Sequence, residues 1–82
     1  MPSLAGKILS NDVNGLTTVV AQVDREVGRV RHGENTGLKI GRPRSDELLF
    51  VIQDLDSITL YKKLEALEDY YGQDNVIVLE ST

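Results

Sequence analysis

The chain of 82 residues contains no cysteine and no tryptophan, and it has a single histidine, His32. Without cysteine, disulfides, thiolate metal sites and thiol nucleophiles are excluded. A metal site would have to rely on carboxylates alone, and the one imidazole has no obvious nucleophile beside it with which to form a catalytic pair. We therefore expect a protein that is not an enzyme and that carries no metal or other cofactor.

Long hydrophobic runs are also missing. No apolar run approaches the roughly 20 residues that cross a bilayer, and the N-terminal segment, with one lysine at Lys7, lacks the layout of a signal peptide. Hydrophobic residues make up 40% and charged residues 27% of the chain, as in ordered globular domains. We expect one cytoplasmic domain over residues 1–82, without membrane contact, and small enough for a second chain to add stability.

The net charge of −4 is unevenly distributed along the chain. Residues 25–44 contain six basic and two acidic side chains, whereas residues 45–82 contain nine acidic and two basic ones. A basic middle followed by an acidic end indicates either a polyanion site or two complementary faces that meet between subunits or partner proteins.

The segment from Glu47 to Glu80 has the pattern of a strand, a helix and a second strand. Leu48–Ile52 is apolar without alternation and too short for a helix, which predicts a central strand covered on both faces. Val76–Leu79 is apolar and mostly β-branched, which predicts a second buried strand.

The helix between these two strands is predicted to begin near Ile58, with Asp56 or Ser57 as its N-cap, and to end at Gly72. Its apolar positions are four, three and four residues apart, which places them on one face, and its charged residues occupy the remaining surface. The apolar positions are Leu60, Leu64, Leu67 and Tyr71; the charged ones are Lys62, Lys63, Glu65, Glu68 and Asp69.

The N-terminal half gives conflicting signals after a short predicted strand at residues 4–10. In residues 11–31, apolar residues recur at helical spacing, with Asp12 as a cap and with the polar residues largely on the other side, and this pattern favours a helix. The β-branched run Thr17–Val20 and the turn pair Asn14-Gly15 favour strands instead. The spacing is carried by Val13, Leu16, Val20, Val23, Val27 and Val30, and the polar side by Gln22, Asp24, Arg25, Arg29 and Arg31.

Two loops are predicted between this region and the central strand. Residues 32–37 are dense in turn-forming side chains, and residues 41–46 include Pro43, which cannot donate to a strand ladder. Only Leu38–Ile40, between the two loops, is predicted to be a short strand. The favoured order is therefore that of a small α+β domain, the ferredoxin-like βαββαβ sandwich with two helices on one face of a four-stranded antiparallel sheet. The alternative is a small curved β-sheet or barrel formed by the N-terminal half, joined to a C-terminal βαβ unit.

Two short stretches resemble known functional motifs. Gly41-Arg42-Pro43-Arg44 is similar to the core of an AT-hook, a resemblance that implies arginines reaching into a DNA minor groove. Asp54-Leu55-Asp56 resembles the first motif of the haloacid dehalogenase-type phosphotransferases, but Ile58 stands where that motif carries a hydroxyl residue or valine. Because short carboxylate side chains also cap helices, we expect the two aspartates to mark a helix start.

These observations favour a small acidic, non-enzymatic module for protein interaction or regulation, acting as a homodimer, as another homo-oligomer or as an assembly subunit with partner proteins. The alternative is a regulator associated with nucleic acid through the basic segment, whose cations would make binding salt-sensitive. Tyr70, adjacent to the apolar helix face, is predicted to contact a partner. The candidate contact residues for a partner or a polyanion are Arg25, Arg29, Arg31, Lys39, Arg42, Arg44 and Tyr70.

Overall fold

The computed structural model describes residues 2–28, 37–54 and 56–82. These residues form a small α+β domain in which two helices pack on one face of a four-stranded antiparallel sheet with the strand order β2-β3-β1-β4. The elements are β1 (Ser3–Ile8), α1 (Val13–Glu26), β2 (Leu38–Arg44), β3 (Glu47–Gln53), α2 (Ser57–Tyr71), a 3-10 turn (Gln73–Asn75) and β4 (Val76–Ser81).

Helix α1 confirms the helical interpretation of the N-terminal half, and the curved sheet or barrel is wrong. The Asp12 side chain caps the helix by accepting a hydrogen bond from the Gly15 amide at 3.0 Å. Leu16 and Val20 are fully buried against the sheet. Burial of one complete helix face outweighs the weak strand preference of the β-branched residues, a preference worth tenths of a kcal/mol per residue.

The helix is shorter than the spacing predicts. It ends at Glu26, and Gly28 follows with φ +76, a left-handed conformation that glycine adopts without a Cβ clash. The predicted continuation to Arg31 and most of the predicted loop at residues 32–37 lie outside the described residues.

The predicted loop at residues 41–46 is wrong, because β2 continues to Arg44 and only Ser45 and Asp46 form the turn into β3. Arg44 lies opposite Glu47, and the ladder shifts register between Gly41 and Arg44. Pro43 is tolerated here because β2 is an edge strand in which one missing donor does not break a central ladder.

The central strand β3 is covered on one face only. Leu48, Phe50 and Ile52 are buried beneath the helices, whereas Leu49 and Val51 are each 37% exposed on the opposite face. The predicted coverage of both faces is therefore wrong. The run lacks polar alternation because the outer face of this strand is apolar as well. Strand β4 is likewise less buried than predicted, since Val76 alone belongs to the core.

Helix α2 has the predicted start and end. The Asp56 side chain accepts from the Ile58 amide at 2.9 Å, and Gly72, with φ +94, ends the helix. Leu60 and Leu67 are buried in the core. Within the described residues, neither helix is long and apolar enough to cross a membrane.

Replacing Gly37 is expected to lower the free energy of unfolding, because its backbone conformation and its surroundings both disfavour a side chain. Gly37 has φ +76, its carbonyl accepts from the Gln53 amide at 3.0 Å, and a Cβ added to it would clash with the Gln53 carbonyl oxygen. Gly28 has the same φ, but no described atom lies within 4 Å of an added Cβ. Both alanine variants incur a left-handed strain of about 1–2 kcal/mol. We expect Gly37→Ala to lose about 1–3 kcal/mol more than Gly28→Ala, because Gln53 must move. Urea unfolding of both variants measures the difference, and equal losses would contradict the predicted contact.

Candidate protein-binding interface

The sheet face that the helices leave uncovered carries two rows of side chains. The first row crosses the four strands in the order Lys39, Val51, Ala5, Glu80, because these residues are cross-strand partners. The second row contains Gly41, Leu49, Lys7 and Ile77. The middle of this open face is therefore mainly apolar, and one charge of each sign stands at opposite edges of the first row.

Charged residues on the open face differ in their pairing. Lys7 contacts Glu47 at 3.3 Å, and Arg44 contacts the other oxygen of the same carboxylate at 3.5 Å. Within residues 2–28, 37–54 and 56–82, neither Lys39 nor Glu80 forms an ion pair. Lys39 and Glu80 are therefore the charges on this face that remain available to a partner.

A second polar group lies inside the domain. The Lys63 ammonium is completely buried and contacts Asp24 at 2.8 Å and Asp54 at 3.1 Å. Asp54 also accepts a hydrogen bond from the Asp56 amide at 3.1 Å. We call Asp24, Lys63 and Asp54 the buried triad; it links the end of α1, the middle of α2 and the residue that follows β3.

The buried triad is placed to hold the fold together rather than to act on a substrate. Its three side chains are at most 4% exposed, so a substrate has no direct access to them. Asp54, the residue behind the resemblance to phosphotransferases, is held by Lys63, and Asp56 caps α2 as the sequence predicts. A buried ammonium between two carboxylates fixes the positions of the elements that carry them, because a charge left unpaired there is costly.

The sequence interpretation placed both Lys63 and Asp24 on polar helix faces, and this is wrong. Lys63 lies three residues after Leu60 and four before Leu67, so helical spacing puts it on the apolar stripe. Asp24 lies four residues after Val20, which places it on the buried face of α1 in the same way. A buried ion pair between two helices can be predicted when each helix carries a charged residue, of opposite sign, at a position of its apolar face.

The basic residues predicted as contacts are divided between the two ends of the sheet. Arg25 follows the buried triad's Asp24 and so lies at the end where β3 finishes and β2 begins. Arg42 and Arg44 are exposed at the opposite end, beside the β2–β3 turn. Lys39 is exposed near the start of β2, on the open face. Arg29 and Arg31 lie outside the described residues. The described members thus do not form one continuous patch.

Tyr70 lies in the helix layer, away from the open sheet face. Its side chain is 53% exposed, and its hydroxyl donates to the Asp12 carboxylate at 2.6 Å. The neighbouring Tyr71 hydroxyl donates to the Asp12 carbonyl oxygen at 2.5 Å, and the two rings pack edge to face at 4.7 Å. These contacts join the C-terminal end of α2 to the N-terminal end of α1.

These contacts shift the titration of all three groups. The Tyr70 hydroxyl, followed by the Gly15 amide, lowers the pKa of Asp12 below its ordinary 3.8. The hydrogen bond to Asp12 raises the pKa of Tyr70. Burial, together with the nearby Asp12 charge, raises the pKa of Tyr71 to about 12. Because this pKa exceeds the ordinary value of 10.0, Tyr71 stabilises the fold fully below pH 10 and loses that contribution as the pH rises toward 12.

We therefore expect the free energy of unfolding to fall between pH 10 and pH 12, and to fall less steeply in Tyr71→Phe, which has no hydroxyl to ionise. Urea unfolding across this range, followed by circular dichroism, measures both slopes. Asp12→Asn removes the charge that raises both tyrosine pKa values, so tyrosinate absorbance should then develop at lower pH. Parallel stability curves for the wild type and Tyr71→Phe would contradict this assignment.

A shallow groove of about 290 Å³ lies between the two helices. Its lining combines apolar side chains with two acids, Glu26 and Asp69, at a position where Tyr70 is also exposed. The lining residues are Val19, Gln22, Val23, Glu26, Ala66, Asp69 and Tyr70. The groove therefore combines apolar surface with charges of one sign.

No group of three or more histidine, cysteine, aspartate or glutamate side chains is arranged to hold a metal ion in the part of the chain that the structure describes. Comparisons of the chain with protein-family models, with curated proteins and with solved structures find no match. The fold and the described surfaces define the chain as a small α+β domain whose uncovered sheet face combines apolar residues at its middle with charged residues around them.

Proposed function

We propose that this domain is a non-enzymatic interaction module that acts through protein contacts on its open sheet face. The observation that carries the proposal is the exposure of Leu49 and Val51 at the centre of that face, on the strand whose other side forms the core. Contiguous apolar surface of this kind is typical of protein-binding sites in small domains. A cytoplasmic role as a regulatory or assembly subunit is consistent with this proposal.

The proposal extends to the fold type. The element order βαββαβ and the strand order β2-β3-β1-β4 both support a ferredoxin-like domain, in which the two halves of the chain each contribute a strand, a helix and a strand. In this arrangement the helices occupy one sheet face, so the other face is the natural site of association.

Nucleic-acid binding is the second candidate function, supported by the exposure of Arg42 and Arg44 at the β2–β3 turn. Two observations favour the protein interface instead. Arg44 shares the Glu47 carboxylate, which places a negative charge at this end of the sheet. The described open face also presents no aromatic ring on which a base could stack, since Phe50 is buried and the tyrosines belong to α2.

The test compares the wild type with the double variant Leu49→Glu, Val51→Glu, which places two charges at the centre of the open face. Ile58→Glu is the matched control, because Ile58 is a large apolar residue that is 68% exposed on a helix. Native mass measurement of the tagged protein recovered from its own cells should show a larger assembly for the wild type and the control only. Monomers in all three samples would overturn the proposal, and binding to duplex or single-stranded nucleic acid at low salt would favour the second candidate.

A further inference from the structure

We infer that the occupant of the open face is a second copy of this chain, related by a two-fold axis that runs parallel to the strands between β3 and β1. This inference rests on the proposed function and specifies its partner. The basis is the charge pattern of the first row, in which Lys39 stands on the β2 edge and Glu80 on the β4 edge, with Val51 and Ala5 between them.

The axis direction follows from where the charges fall. A two-fold axis along the strands places each β2 over the partner's β4, because these strands are the two edges of the sheet. Lys39 then faces Glu80 of the partner subunit, and the symmetry forms this pair twice. A two-fold axis across the strands, centred on the same row, would instead place Lys39 over its own copy and Glu80 over its own copy. Charge complementarity therefore selects the axis along the strands.

The outer residues of the second row fit the same arrangement, whereas its inner residues place Lys7, which is paired with Glu47 of its own chain, over Leu49 of the partner subunit. Gly41 on the β2 edge lies opposite Ile77 of the partner subunit, and the missing side chain of Gly41 leaves room for that residue. Val51 lies over Ala5 of the partner subunit, again a larger residue against a smaller one. Packed sheets lie about 10 Å apart, a gap that a lysine and a glutamate reaching toward each other can span.

The size of the face predicts a weak affinity. Strands of six or seven residues, at about 3.3 Å per residue, and four strands at about 4.8 Å give a face of roughly 20 by 20 Å. Two such faces cover roughly 800 Å² in all, which is below the roughly 1,200 Å² at which stable complexes begin and is typical of weak or transient contacts. We expect a dimer that dissociates in the micromolar range, so its Kd is accessible to sedimentation at several concentrations.

Charge reversal gives the decisive experiment. Lys39→Glu places like charges opposite each other at both edges of the dimer, and Glu80→Lys does the same. We expect the Kd of each variant's own dimer to rise about tenfold or more. An equimolar mixture of the two variants restores both pairs, and it should form a heterodimer with a Kd within about threefold of the wild type. The two positions are roughly 14 Å apart within one chain, which exceeds the screening length at physiological salt. Recovery in the mixture therefore reports contact between subunits.

Gly41→Val is an independent steric test. A Cβ at this position would meet only the Leu49 Cβ, at 3.7 Å, so the monomer accommodates a larger residue, whereas Ile77 of the partner subunit loses its space. We expect a folded monomer with unchanged circular dichroism.

The outcomes separate this inference from the proposed function. A dimer that is equally stable in both charge variants, or a mixture without preferential heterodimer, would overturn the inferred axis. A wild type that stays monomeric but loses a different partner in Leu49→Glu, Val51→Glu would overturn the second copy as occupant and leave the proposed function standing.

Discussion

Replacing Lys63 by methionine is expected to destabilise the domain by about 3–5 kcal/mol. Methionine preserves most of the volume of the side chain but removes the ammonium that contacts Asp24 and Asp54, both of which are buried. Two carboxylates would then share an interior site without a counter-charge. Because domains of this kind are stable by roughly 5–15 kcal/mol, the loss is a large part of the total. Urea unfolding followed by circular dichroism measures it.

Two further variants make the Lys63 experiment specific. Lys62→Met removes a neighbouring lysine that is exposed on the same helix, and it should change stability by no more than about 0.5 kcal/mol. The triple variant Lys63→Met, Asp24→Leu, Asp54→Asn removes all three charges and keeps an acceptor for the Asp56 amide. It should be at least about 2 kcal/mol more stable than Lys63→Met alone. A Lys63→Met protein as stable as Lys62→Met would show that the triad does not hold the elements together.

The second large effect is expected at Phe50. Its side chain is 1% exposed, and its ring lies directly over Gly6, where an added Cβ would come within 2.7 Å of a ring carbon. Phe50→Ala should cost about 3–5 kcal/mol, because the cavity it leaves lies between the sheet and both helices and cannot collapse fully.

The matched control for Phe50 is its neighbour on the same strand. Leu49 points to the opposite face and is 37% exposed, so Leu49→Ala should cost about 1 kcal/mol or less when measured at concentrations where the protein is monomeric. Leu49→Ala should also weaken self-association directly. Phe50→Ala should weaken self-association only to the extent that it unfolds the domain. Equal losses of stability at the two positions would contradict the assignment of the two faces.

The starts of both helices and the end of α2 were predictable from the sequence because they depend on local chemistry, whereas the end of α1 was not. Asp12 and Asp56 each cap a helix through their own side chains, and Gly72 ends α2 through a backbone conformation that few other residues adopt. None of these features requires a contact distant in sequence. The apolar spacing of α1 was likewise sufficient to choose helix over strand.

What the sequence did not predict depends on neighbours in space. Pro43 marks a loop in most contexts, and it is accepted in β2 only because that strand lies at an edge. The apolar run of β3 is compatible with a strand covered on one face and with a strand covered on both faces. The sequence therefore did not show that one face is open. The buried triad joins residues 24, 54 and 63, which no local pattern connects. Of the candidate contacts, Lys39 and Arg44 are placed on the open face, where Arg44 is paired with Glu47, whereas Glu80 was not singled out.

The irregular edges of the sheet have a consequence for solubility. β2 contains Pro43 and a register shift, and β4 pairs with β1 through a second register shift between Ala5 and Gly6. An exposed edge with a regular row of donors and acceptors recruits further strands and leads to aggregation, and such interruptions hinder that process. These interruptions therefore protect the edges from strand addition, and the pairing that we infer for the open face would end at a closed dimer instead of continuing into a fibril.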